Sequence, residues 1–128
     1  MAKKLISSGA KWESIVGYSR AIKIENTIEF AGTTASLGGE VLFPGNAAAQ
    51  ARYILELFAQ ILEQEGFSLK DIVRTRLYLT NMEDWQEVGK VHGEFFSEIK
   101  PICTLLGIQA LVSPDMRIEI EATAIQVK

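Results

Sequence analysis

Glu119 and Glu121 stand two apart in the alternating run Arg117-Ile118-Glu119-Ile120-Glu121-Ala122, so on a strand both carboxylates point to one face. A carboxylate desolvated there takes a raised pKa and handles protons; one that meets Arg74, Arg76 or Arg117 forms an ion pair instead, and both readings stay open. The chain holds one histidine, His92, and one cysteine, Cys103. A Cys103 thiolate with His92 as its base would be a nucleophile, whereas a lone cysteine also serves as a small hydrophobe. No Gly-x-Ser-x-Gly elbow is present for a serine hydrolase, and His92 is the only base available to one. Gly38-Gly39 is not followed by the helix start that a phosphate-cradling loop requires, which sets a nucleotide cofactor aside. One histidine and one cysteine are too few soft ligands for zinc, and a single cysteine closes no internal disulfide. The expected cofactor and metal requirement is therefore none.

Two amphipathic helices frame these residues. Pro44-Gly45-Asn46 announces the first, with Asn46 as N-cap and Gly66 as the closing residue, and Ile54, Leu55, Phe58, Ile61 and Leu62 fall on one stripe. The second is expected after Asn81, with Glu83 and Asp84 in its first turn where they suit the helix dipole, and it ends before Pro101. Trp85, Val88, His92, Phe95, Phe96 and Ile99 share its apolar face, so His92 reads either as a hydrogen-bonded core histidine or as a site residue.

Strand patterns surround the helices. Ser19 to Ile24 and Thr27 to Gly32 flank a hairpin turn at Glu25-Asn26, and Ser36 to Leu42 reads as a third short strand across Gly38-Gly39. Between the helices, Val73, Thr75, Leu77 and Leu79 alternate with Arg74, Arg76, Tyr78 and Thr80, while Cys103 to Leu111 is a more apolar strand. The order implies an α+β fold, a sheet with two helices on one face. Its bare face would carry Arg74, Arg76, Tyr78, Glu119 and Glu121, and a bare face of this kind favours association between copies.

No repeat or linker divides the 128 residues, which are expected to form one domain over 1–128. The net charge of −3 and the scatter of basic residues argue against a nucleic-acid surface. The N-terminal segment lacks a signal-peptide core, and no apolar run approaches the roughly 18 residues of a membrane span, so the expected location is cytoplasmic with no membrane contact.

Five motifs taken in order carry a family likeness: Gly17-Tyr18-Ser19-Arg20-Ala21, Phe30-Ala31-Gly32-Thr33, Asp71 to Asn81, His92-Gly93-Glu94-Phe95-Phe96, and Ile118 to Ala122. Together they resemble the RidA/YjgF/UK114 family over nearly the whole chain. The resemblance implies a chorismate-mutase-like fold with a mostly antiparallel sheet, a homotrimer with a small-molecule cleft at each subunit interface, and hydrolysis of reactive imines and enamines without cofactor or metal. Glu119 matches the glutamate that handles the water, Tyr18 a tyrosine near the site, and Gly32 a glycine whose backbone lines the pocket.

Three positions depart from the pattern. Cys103, in Pro101-Ile102-Cys103-Thr104-Leu105, falls where the family carries the arginine that grips a substrate carboxylate; Ala31 replaces a serine and Gly89 an asparagine. The expected site is thus Glu119 as catalytic residue, with Tyr18, Gly32, Cys103, Thr104, Arg20 and His92 as substrate-binding residues. Arg20 or a neighbour's basic group would take over from the missing guanidinium, and His92 would add polarity to the cleft. The function implied is a hydrolytic deaminase with altered substrate preference. A non-catalytic ligand-binding or protein-protective trimer, and then an endoribonuclease or translation inhibitor, are the alternatives.

Overall fold

The computed structural model describes residues 2–127. Its main sheet runs β1 (Lys3–Ile6), β2 (Ala21–Ile24), β3 (Thr27–Thr33), β8 (Ile118–Ile125), β6 (Ile72–Leu79), β7 (Ile102–Gly107) in spatial order. Every pairing is antiparallel except β6 with β7, which run parallel. A parallel pair needs a long crossover, and α2 (Trp85–Phe96) supplies it. The α+β expectation, with helices on one face of the sheet, holds.

Residues 36–42 depart from the expected strand. They fold back into a separate two-stranded hairpin, β4 (Ser36–Leu37) and β5 (Glu40–Val41), because Gly38 and Gly39 take φ of 61° and 84°, the left-handed pair that closes a two-residue turn. Strand β1 pairs in register with β2, from Lys3 opposite Ile24 to Ile6 opposite Ala21, and makes a sheet edge that the sequence pattern left unassigned. At the other edge, the strand expected to reach Leu111 stops at Gly107.

The first helix, α1 (Ala47–Gln64), begins as read: the Asn46 side chain accepts the Ala49 N–H at 3.0 Å. It ends where Phe67 N–H reaches back to the Leu62 carbonyl across Gly66, whose φ is 78°. Ile54, Leu55, Phe58, Ile61 and Leu62 are all buried, and Phe58 stacks on Phe30 of β3 with ring centroids 4.3 Å apart. Gln50 is buried beside them. Its amide nitrogen donates to the carbonyls of Leu42, Phe43 and Asp115, and its oxygen accepts Arg117 N–H, so one side chain fastens two loops to the helix.

Glu83 and Asp84 lie in a 3-10 turn, Met82–Asp84, that leads into α2, and Asp84 pairs with Arg117 at 2.8 Å. Trp85 was expected in the core but is 51% exposed: it opens α2, and burial begins one turn later at Val88, with Val91 taking the inward place. Val73 also turns outward. The register of β6 against β8 shifts between Ile72 and Arg74, and this irregularity sends both Ile72 and Thr75 to the core side. Along β8 the alternation is regular, with Ile118, Ile120, Ala122 and Ala124 buried and Glu119, Glu121 and Thr123 on the face away from the helices.

Candidate active site

The site begins with an irregularity in β3. Phe30 pairs with Ala122 and Thr33 with Ile120, so two residues, Ala31 and Gly32, span the stretch of β8 occupied by Glu121 alone. The extra residue turns Gly32 onto Glu119. A Cβ at position 32 would sit 2.8 Å from the Glu119 carboxyl carbon and from one of its oxygens, so any larger residue there makes the carboxylate move. Glycine lets Glu119 keep its present position against the strand.

Burial, then the neighbouring charge of Glu121, pushes the Glu119 carboxyl above its ordinary value, and Arg20 pulls it part of the way back. Neither carboxylate is ion-paired to Arg74, Arg76 or Arg117 among the described residues. Glu121 instead accepts the Tyr78 hydroxyl at 2.7 Å, and that bond is the main reason the phenol pKa is raised. Two carboxylates on one strand face thus have different surroundings, and Glu119 is the one turned to open space.

That space is a cleft of about 740 Å³. Tyr18, Arg20, Gly32 and Glu119 line it, with Trp12 and Val112 among its apolar walls. Arg20 is only 6% exposed, its side chain almost wholly buried in the cleft wall. Its Nη1 donates to the Gly32 carbonyl at 2.9 Å and to Thr33 Oγ1 at 3.1 Å, its Nε to Ser8 Oγ at 3.1 Å, and its Nη2 to the Tyr18 hydroxyl at 3.2 Å. Behind it, the Glu13 carboxylate accepts Ser7 Oγ, Ser8 Oγ and the backbone N–H groups of Ser8 and Ala10. Burial opposes ionisation of Glu13, but these bonds together hold its carboxyl below the ordinary value.

A family model described as endoribonuclease L-PSP matches residues 8–126. The chain belongs to the RidA/YjgF/UK114 family. A RutC family protein of Pyrococcus abyssi is 34% identical over 97% of this chain and 98% of its own length. The 3-aminoacrylate deaminase RutC of Acinetobacter baylyi is 32% identical over 97% of this chain and 98% of its own. Among solved structures, a YjgF/YER057c/UK114 family member of Mycobacterium tuberculosis is 40% identical and covers 98% of this chain and 100% of its own, with a TM-score of 0.86.

Of the site residues expected for a RidA/YjgF chain, the fold brings Glu119, Gly32, Tyr18 and Arg20 together. Cys103, Thr104 and His92 lie elsewhere in the protomer. Cys103 is exposed on the edge strand β7, paired in register with Thr75 and therefore on the helix-covered side of the sheet. Thr104 pairs with Arg76 on the opposite, open face. The His92 Nε2 lies 2.9 Å from Thr75 Oγ1 rather than on the Cys103 thiol, its ring tilts against Phe96, and burial lowers its pKa. Gly89 is on the exposed side of α2, where an added Cβ would meet nothing. Ser8, Glu13 and Thr33 were not legible as site residues, because only the folded chain carries the N-terminal segment onto Arg20.

Proposed function

We propose that this chain is a hydrolytic deaminase of reactive imines or enamines, working in a homotrimer whose subunits each complete a neighbour's cleft. One observation carries the reading: a carboxyl with an upward-shifted pKa, in no ion pair among the described residues, faces the cleft against Gly32, where a Cβ would displace it. Such a group takes a proton from water as the water oxygen bonds to the C=N carbon. The imine nitrogen is protonated, the carbinolamine collapses, and water plus imine become carbonyl product plus ammonia. The Tyr18 hydroxyl accepts from Arg20, which leaves the phenol hydrogen to donate into the cleft. The name of the Acinetobacter relative, a 3-aminoacrylate deaminase, supports the reaction class.

Substrate choice is where the chain departs from the family pattern. Cys103 offers no guanidinium, and the Arg20 donors are taken up inside the protomer, so neither provides a bidentate clamp for a small carboxylate. The chain therefore prefers imines whose affinity comes from the rest of the molecule. The test is decay of a panel of imines released in situ by an amino-acid oxidase. The expected result is acceleration over spontaneous hydrolysis that falls about 10²–10⁴-fold in Glu119→Gln. No acceleration by the wild type for any member overturns the reading and leaves the ligand-binding alternative, and cleavage of a defined RNA by protein free of contaminating nuclease would favour the endoribonuclease one.

A further inference from the structure

Arg20 is a charged side chain almost wholly buried in the cleft wall, where a guanidinium is costly unless its hydrogen bonds and its charge are satisfied. Four of its five N–H groups are placed on protein acceptors: Ser8, Gly32, Thr33 and Tyr18. All four acceptor residues line the cleft. The Gly32 carbonyl belongs to the residue packed on Glu119, and the Tyr18 hydroxyl lies on the adjoining wall. The nearest counter-charge is Glu13, 4.0 Å from Nη2, and Glu13 is itself restrained by four hydrogen bonds from Ser7, Ser8 and Ala10.

We infer that Arg20 is a positioning residue for the reaction at Glu119. It fixes the Gly32 wall and the Tyr18 hydroxyl, and it supplies the static positive charge that keeps the Glu119 carboxyl able to accept a proton, while Glu13 sets how much of that charge Glu119 feels. The inference rests on the proposed role of Glu119 as base. The other charged and titratable groups around Glu119 act from separate elements. Glu121 lies two residues along β8, Tyr78 and Arg76 of β6 stand opposite Glu119 and Glu121 in the strand register, and Lys11 stands at the cleft rim. Of the two arginines, Arg20 is the one bonded to the wall that touches the carboxylate.

Two charge-removing variants make opposite predictions, which a purely structural role would not produce. The measurement is the titration of the Glu119 carboxyl carbon by ¹³C NMR in protein labelled at glutamate Cδ, the resonance assigned by its disappearance in Glu119→Gln. Arg20→Gln moves the Glu119 midpoint up, Glu13→Gln moves it down, and Arg20→Lys, which keeps the charge but not the fork, leaves it near the wild-type position. The acidic limb of the kcat/KM profile for an oxidase-released imine follows the same directions.

Midpoints that stay put in both Gln variants overturn the inference even if the imine is turned over. Shifts in the expected directions with no turnover uphold the charge relation and overturn the hydrolytic reading instead. Should Arg20→Gln fail to fold, Glu13→Gln decides, because the glutamine amide oxygen still accepts from Ser8 and Ala10 and its NH2 meets Ser7 Oγ, a hydroxyl that can turn to accept.

Discussion

Glu119 illustrates how a reactive group is held at the expense of stability. Its carboxyl titrates above the ordinary value because burial and Glu121 disfavour the charged form. The folded state consequently binds that proton more tightly than the unfolded state, so stability falls as pH rises from the ordinary carboxylate range through the raised midpoint. Above it the full penalty is present. Glu119→Gln, which imitates the protonated form, is expected to raise Tm at neutral pH while sharply lowering the proposed imine hydrolysis, and the gain over wild type shrinks toward zero in acid. Thermal melts of both proteins across pH check this, and a variant no more stable than wild type at neutrality would contradict it. The pairing of Glu119 with Glu121 on one face was legible from the period-two pattern. Its closeness to Gly32 was not, because that contact is made by an irregular strand register which Phe30-Ala31-Gly32-Thr33 does not announce.

At the scale of elements, legibility followed amphipathic length. Helix α1 is long enough for its stripe, cap and closing glycine to agree, and each was found where the pattern put it. Strand β1 is four residues at a sheet edge with only Ile6 buried, so it has no alternation to read and exists through its pairing with β2. Val73 and Trp85 went astray for a related reason: a register shift and a helix end each break the period that assigned them. Gln50 looks from sequence like a polar interruption of the apolar stripe, yet it joins α1 to the segments before it and before β8. Gln50→Leu keeps the volume but strands the Leu42 carbonyl and the Arg117 N–H, while the Phe43 and Asp115 carbonyls keep the Asn46 and Gly45 N–H groups, so it is expected to cost at least about 2 kcal/mol. Denaturant unfolding reads that loss, with an unchanged slope showing that the native fold persists.

Across the whole molecule, one sheet face is covered by helices and the other is open. Ile102 and Leu106 of the edge strand are 58% and 51% exposed on that open side, in register with Arg74 and Tyr78. Apolar side chains standing beside charged ones on a bare sheet are what an interface between copies would cover. On the proposed trimer, Leu106→Glu is expected to shift the species seen by light scattering from three chains to one and to remove imine hydrolysis with it. A wild-type monomer at micromolar concentration would end that proposal. Cys103, exposed at the same edge, would then be positioned by a neighbour as much as by its own strand.

The approach of Gly32 to Glu119 also divides the site by how freely it can diverge. A Cβ at position 32 would meet the carboxylate at 2.8 Å, so a larger residue there displaces Glu119. Positions 89 and 103 are exposed, and position 89 has open space where a side chain would go. Added bulk at position 32 therefore disturbs the proposed base, whereas at 89 or 103 it is carried on surface outside the cleft lining of the same protomer.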